Sequence, residues 1–267
     1  MISYRDVLNG FKTLNIEAGR PAIVHASLSS FGEVRGGAET ILGALVTAFS
    51  GIMMPAFTYK TMLIPEDGPE DNGLNYGSGD AANRMVEFFT PDMPADVLMG
   101  VVAEKLRQMP AAGRSMHPIL SFVGVNVADA LAAQSLEEPL APVADLARRG
   151  GWVVLLGVDN TVNTSIHYGE RLAGRKQFMR WALTPQGARA CPGFPGCSDG
   201  FNKINIAASG FKREVRIGGA QVQAMPLRDL LASVQQIVRE DPLALLCDRP
   251  DCERCTTVRK AVRSVNN

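Results

Sequence analysis

Apolar residues follow two rhythms along this chain. Near the start, Tyr4, Val7, Leu8, Phe11 and Leu14 recur at three- and four-residue intervals behind Ser3, predicting an amphipathic helix to about Asn15 with Ser3 as its cap. Residues 21–26 (PAIVHA) then form a short continuous apolar run, the pattern of a strand buried on both faces. A polar, glycine-rich turn (SLSSFGEVRGG) leads to a helical stretch at 38–49 and a second apolar run at 52–57. Strand, turn, helix and strand make one βαβ unit, which predicts parallel pairing with a right-handed crossover.

Further on, 98–108 reads as a helix, 120–125 as a strand and 146–149 as the end of a helix. Residues 152–158 (WVVLLGV) carry the strongest buried-strand pattern, and 163–172 opens a helix that Asn163 or Thr164 can cap. Shorter strands at 178–183, 215–217 and 222–225 and a helix at 227–239 complete the last third. Residues 58–80 are turn-rich and long for a loop in a compact domain, so they read as functional or disordered. With no repeat or linker, the expectation is one α/β domain over 1–267 with a small cysteine-containing substructure at 185–267.

Composition narrows the function. Lys plus Arg and Asp plus Glu both number 27, so the chain lacks the surplus of cations that nucleic-acid binding requires. Hydrophobic residues at 46% and charged residues at 20% suit a sizeable core rather than disorder. The first residues lack a basic-then-apolar leader, and no apolar run is long enough for a membrane span, so a soluble cytoplasmic protein is expected.

The 3 histidines concentrate the candidates for acid–base chemistry. His25 ends the first strand, where the following turn serves either as an ordinary βα connection or, through its N–H groups, as a phosphate cradle. His117 precedes Pro118, which favours extended backbone, and suits either a site or a hydrogen-bonded strand end. His167 and Glu170 share a helix face three residues apart, beyond the carboxyl end of the strongest strand. A carboxylate there fixes the imidazole tautomer for proton abstraction; the alternative is an exposed pair with no role.

Taken together, VHASLSSFG with GGAET (24–40), MPAFT (54–58), RSMHP (114–118) and LLGV with NTSIHYGE (155–170) resemble the aminoglycoside 3-N-acetyltransferase family. This chain departs from the family pattern at Ala26, Met116 and Tyr168-Gly169. The resemblance implies a three-layer α/β/α sandwich with a mainly parallel central sheet and a mixed C-terminal part. It also implies transfer of acetyl from acetyl-CoA to the 3-amino group of an aminoglycoside antibiotic, conferring resistance.

In that reading Ser27, Leu28, Ser29, Ser30, Phe31, Gly32, Val34, Gly36 and Gly37 hold the pantetheine and diphosphate, with Thr58 and Ser165 as further cosubstrate contacts. His167, supported by Glu170, deprotonates or orients the amine for direct attack on the thioester. His25 and Thr58 lie near the acetyl carbonyl, and His117 acts from behind or on the substrate side. Glu66, Asp67, Glu70, Asp71 and Asp80, joined by Glu170, form an anionic surface that gathers the polycation. Partners are then two small molecules, with no nucleic acid or membrane; the sequence leaves homodimerisation open.

The 5 cysteines all lie in the last third. Cys252-x-x-Cys255 has zinc-pair spacing, Cys191 and Cys197 supply a second pair, and Cys247 is a spare or competing ligand. The set reads as structural zinc or as clustered free thiols. Two rivals remain: an acetyl-CoA-dependent transferase of another amine metabolite or biosynthetic intermediate, and a zinc-stabilised binding module. The latter needs a basic face, but Arg249, Arg254, Arg259, Lys260 and Arg263 are interleaved with Asp248, Asp251 and Glu253. No G-x-S-x-G elbow marks a hydrolase.

Overall fold

The computed structural model describes residues 1–265; residues 266–267 of the expected domain lie outside the described residues. Its helices are α1 (Tyr4–Thr13), α2 (Gly37–Ala48), α3 (Asp80–Asn83), α4 (Gly100–Arg107), α5 (Ala128–Ala132), α6 (Ala141–Arg148), α7 (Thr164–Leu172), α8 (Asn205–Ala208), α9 (Leu227–Glu240) and α10 (Glu253–Val265). The strands are β1 (Ala22–Ala26), β2 (Ile52–Pro55), β3 (Met62–Leu63), β4 (Gly113–Arg114), β5 (Phe122–Val125), β6 (Trp152–Leu156), β7 (Phe178–Thr184), β8 (Gly187–Phe194), β9 (Arg213–Ile217) and β10 (Ala220–Pro226).

A 7-stranded sheet runs β4-β5-β2-β1-β6-β10-β9, beside a 3-stranded sheet β3-β7-β8. β1 pairs in parallel with β2, as the βαβ pattern predicts, and on its other side in parallel with β6. Antiparallel strands flank this parallel trio on both sides. The trio is buried on both faces, which is why its strands read as continuous apolar runs. Each of Val153, Val154, Leu155 and Leu156 is fully buried, and burial of such a side chain contributes roughly 1.5–3 kcal/mol.

The two faces carry separate cores. Ala22, Val24, Val154 and Leu156 pack with α1, α2 and α4 on one side. Ile23, Met53, Val153 and Leu155 pack with α5, α6, α7 and α9 on the other. These are the three layers. Because side chains alternate along a strand, His25 shares the face of Ile23 and points toward the α7 layer. The second core extends through Phe178 and Phe194 of the small sheet and through Cys247, Cys252 and Cys255, so the 185–267 region shares it.

Ser3 caps α1, accepting from Asp6 N–H while the Asp6 carboxylate accepts from Ser3 N–H. The turn-rich 58–80 region is ordered rather than loose. Asn83 brackets Ile64 with hydrogen bonds of 2.8 and 2.7 Å to its N–H and C=O. Asn72 does the same to Met179 of β7 at 2.7 and 3.0 Å. Each amide imitates a strand partner, so the segment is pinned to the small sheet. No helix among the described residues is long and apolar enough to cross a membrane.

Candidate active site

Two adjoining cavities open beyond the carboxyl ends of β1 and β6, with Ala26, Leu98 and Val158 in the lining of both. Ligands of open α/β sheets collect at this position. The first, about 340 Å³, contains His25, Tyr59, Thr161, Thr164, His167 and Arg254. The second, about 560 Å³, is lined by Ser27, Leu28, Ser29, Gly32, Val34, Gly37, Gly100 and Val101.

Most of the expected cosubstrate turn thus faces the second cavity. Ser27 and Ser29 hold their hydroxyl oxygens 3.1 Å apart. Gly36 sits at the N-cap of α2 with φ 78°, and Gly37 follows with φ 56°, a left-handed pair suited to glycine. Two residues of the turn point elsewhere. Phe31 is buried in the core beside α1 and α2. Ser30 donates to the carbonyl of Gly157 at 2.7 Å, and a Cβ on Gly157 (φ +65°) would stand 2.4 Å from Ser30 Cβ. Both shape the turn from behind rather than lining the cavity.

His167 projects from α7, whose N-cap Asn163 accepts the N–H of Ser165 at 3.2 Å. An amide network sets that cap: Asn163 donates to Asn160 at 3.0 Å, Asn160 to Asn205 at 3.2 Å, and Asn202 to Asp159 at 2.8 Å. Gly169 lets α7 sit close on α9, since a Cβ there would come within 2.7 Å of Val234. Nδ1 of His167 lies 3.1 Å from Oε2 of Glu170, and Arg175 stands 3.4 Å from the other carboxylate oxygen. Phe201 meets the imidazole edge-on with centroids 4.6 Å apart, fixing its plane. A carboxylate at Nδ1 selects the tautomer protonated there and leaves Nε2 as a lone pair for a proton.

His25 lines the same cavity with Nε2 buried and unpartnered. Burial lowers its pKa to about 3, so the ring is neutral. Tyr59 is also held neutral, pushed up to about 12 chiefly by burial. Neither Tyr59 nor Arg254 was visible as a site residue in the sequence. Tyr59 directly follows the MPAFT segment, while Arg254 lay hidden between two cysteines read as metal ligands.

Several expected site residues lie elsewhere. His117 is absent from both linings; its Nδ1 accepts the N–H groups of Ile119 at 3.1 Å and Leu120 at 3.0 Å, closing the turn before β5. Thr58 is buried and commits its hydroxyl proton to Pro118 O at 2.7 Å, so it cannot donate to an acetyl carbonyl. Ser165 is fully buried inside α7 and lines neither cavity. Glu66, Asp67, Glu70, Asp71 and Asp80 are exposed, and none lines the first cavity. No carboxylate does; Glu170 stands behind His167.

The cysteines also regroup. Cys191 is fully buried on β8, and burial pushes its thiol up to about 12. Cys247 takes its place in a cluster with Cys197, Cys252 and Cys255. The β8 register turns Cys191 into the core, away from the others.

A sequence profile of the aminoglycoside 3-N-acetyltransferase family matches residues 23–239. Aminoglycoside N(3)-acetyltransferase III of Salmonella sp is 31% identical over 184 residues, which cover 65% of this chain. The match spans 62% of that relative's length. Among solved structures, the apoenzyme of aminoglycoside acetyltransferase AAC(3)-IVa superposes with a TM-score of 0.78 at 22% identity, covering 97% of this chain and 98% of its own. AAC-IIIb in a binary complex with CoASH gives 0.71 at 24% identity, covering 89% of this chain and 96% of its own. At these identities the superpositions establish the shared fold.

Proposed function

The chain belongs to the aminoglycoside 3-N-acetyltransferase family, and from that premise we propose that it transfers the acetyl group of acetyl-CoA directly to the 3-amino group of an aminoglycoside, conferring resistance. The observation that carries this reading is the Arg175–Glu170–His167 chain, which ends in the first cavity beside the serine- and glycine-lined second one. That pairing gives each of two substrates its own compartment, and orienting two reactants side by side is a large part of such catalysis.

Acetyl-CoA occupies the second cavity. Ser27 and Ser29 offer hydroxyls to its pantetheine and phosphate oxygens at the N-terminus of α2, whose dipole favours the phosphates, while the Gly37 N–H is spent on Val34 O at 3.0 Å. Its thioester reaches the junction of the cavities; the CoASH bound to AAC-IIIb supports this choice of cosubstrate. The amine enters the first cavity, and His167 Nε2 takes a proton from it. The freed nitrogen lone pair attacks the thioester carbonyl carbon, the C–S bond breaks, and the second proton lost by the acylated nitrogen passes to the departing sulfur, so CoA leaves as the thiol. Neutral His25 donates from its unpartnered Nε2–H to the developing oxyanion, a role that needs a pre-aimed donor. Glu170 holds the His167 tautomer and stabilises the imidazolium. Acetylation replaces a cationic ammonium by a neutral amide, removing one positive charge from the antibiotic.

One observation favours a second reading. Arg254 lines the first cavity and no carboxylate does. A small amine bearing an anionic group suits that wall better than a bare polycation. Acetyl-CoA-dependent thiol release across an amine panel decides, followed by locating the acetylated nitrogen. Release with aminoglycosides and acetylation at the 3-amino group supports the first reading. Release only with anionic amines moves the assignment to the second, and acetylation at another aminoglycoside nitrogen removes the regiochemical assignment.

A further inference from the structure

The cysteine cluster lies at the edge of the first cavity. Cys197 follows β8, Cys247 follows the turn after α9, Cys252 precedes α10, and Cys255 sits in its first turn. Their four sulfur atoms lie within 4.8 Å of one another, and each residue is at most 5% exposed. A tetrahedral zinc with Zn–S bonds of about 2.3 Å spaces its sulfurs about 3.8 Å apart, so small side-chain rotations suffice to seat the ion. The shortest assigned sulfur contact, Cys247 to Cys255, is 3.4 Å. The N–H of Asp199 points at Cys197 Sγ at 3.5 Å. Such a donor stabilises a thiolate.

The surroundings suit an anionic centre. Four thiolates around Zn²⁺ carry a formal charge of −2, their protons passing to solvent on binding. Arg254 and Arg259 approach from α10, and Arg249 and Lys203 from its flanks, the last two also paired with Asp199, Asp251 and Asp248. Arg259 donates to Cys247 O and Lys203 to Leu246 O at 2.9 Å, while Arg254 donates to Gly196 O at 2.8 Å. All-sulfur tetrahedral sets select zinc or iron–sulfur centres, and four sulfurs within 4.8 Å of one another fit one small ion rather than the wider cage of a cluster.

We propose that Cys197, Cys247, Cys252 and Cys255 bind one structural zinc ion, and that this ion holds the wall of the reaction cavity made by Pro195, Gly196, Ser198 and Arg254. The wall residues are neighbours in sequence of the ligands, so the metal fixes two strips of lining 58 residues apart at their bonded ends, Gly196 and Arg254. Cys191 has no part in it.

Metal analysis of the full chain purified without chelator tests the site, and this arm does not depend on the acetyltransferase reading. About one zinc per chain is expected in the wild type and in Cys191→Ser, with at least tenfold weaker retention against a competing chelator in Cys247→Ser. Cobalt exchange of the wild type gives the intense thiolate charge-transfer bands of a tetrahedral four-sulfur site, which keeps the test open should Cys247→Ser fail to fold. Less than a tenth of an equivalent of zinc overturns the site, as do a Cys191→Ser variant that loses its metal or a mass showing disulfides. The wall role rests on the proposed transfer reaction: zinc depletion raises KM for the amine about tenfold with KM for acetyl-CoA within twofold. An unchanged amine KM in depleted enzyme overturns the wall role alone. Absence of any acetyl transfer by zinc-loaded wild type sinks the acetyltransferase reading and leaves the metal count standing.

Discussion

Glu170 and His167 occupy one face of α7, three residues apart, with Oε2 and Nδ1 3.1 Å from each other and only Arg175 on the carboxylate's far side. In the proposed reaction a buried carboxylate so placed acts on the substrate through the imidazole. Replacing Glu170 by Gln is expected to lower kcat by roughly 10²-fold, within the usual contribution of general acid–base catalysis, while both KM values stay within about threefold. His167→Ala lowers kcat further, by roughly 10³-fold or more, with an unchanged circular dichroism spectrum. Steady-state kinetics with saturating acetyl-CoA measure both, and near-normal turnover in His167→Ala removes the imidazole from the reaction.

His117 makes the opposite prediction. Its Nδ1 satisfies two backbone N–H groups, at Ile119 and Leu120, and it lines neither cavity. His117→Leu orphans both donors and is expected to cost roughly 2–6 kcal/mol of stability, at 1–3 kcal/mol for each buried group left without a partner. Activity per folded molecule is retained. Urea melts beside active-site titration separate the two effects; full stability with lost turnover contradicts the structural role.

Acid should weaken the fold through the same two buried rings. Burial lowers His25 to about 3 and His117 to about 4. The unfolded chain therefore takes up protons first, as pH falls below the ordinary histidine value near 6.5. Stability is fully present above about pH 6.5 and is lost progressively toward pH 4, with His117 accounting for roughly 3 kcal/mol across the window. Chemical denaturation at pH 7.5, 6 and 5 should trace this fall, and His117→Gln should remove about half of it, His25 accounting for the rest. A wild-type stability that is level between pH 7.5 and 5 contradicts the burial of both rings as neutral groups.

The two-compartment reading is tested at Val101, which lines the second cavity and is 47% exposed at its rim. Val101→Trp adds bulk to the second cavity only, so KM for acetyl-CoA should rise about tenfold, the equivalent of about 1.4 kcal/mol. The amine KM should be unaffected. Equal increases in both constants would mean that the two cavities do not divide the substrates.

In the proposed reaction the acidic loop acts from a distance, because Glu66, Asp67, Glu70 and Asp71 are exposed and outside the lining of the first cavity. Converting these four to amides should lower kcat/KM for a polycationic aminoglycoside by less than about tenfold at low salt. The effect should vanish near 0.5 M salt, where screening shortens to a few ångströms. A loss that persists in salt would point to direct contacts.

What the sequence revealed followed from what each residue had to bury. β1, β2 and β6 announced themselves because parallel strands covered on both faces must be apolar throughout, and the segment after β6 pointed to His167 with Glu170. β8 was silent: Gly187, Pro192 and Gly193 interrupt any strand pattern, and an edge strand bonded only to β7 tolerates them. α10 was hidden by charge, since only Cys255, Val258 and Val262 mark its inner stripe. The roles of Thr58 and His117 depend on which backbone groups they meet across loops, and local patterns carry no such information. Cys247 replaced Cys191 for a similar reason, the β8 register being set by pairing rather than by cysteine spacing.

The first cavity draws its walls from Val24 at one extreme to Arg254 at the other. Synthesis proceeds from the N-terminal end, so His25 leaves the ribosome long before the arginine that lines the same cavity. The three parallel strands and both helical layers up to α9 can assemble while that wall is still missing. For this interval the nascent chain carries the cleft without the arginine of its rim.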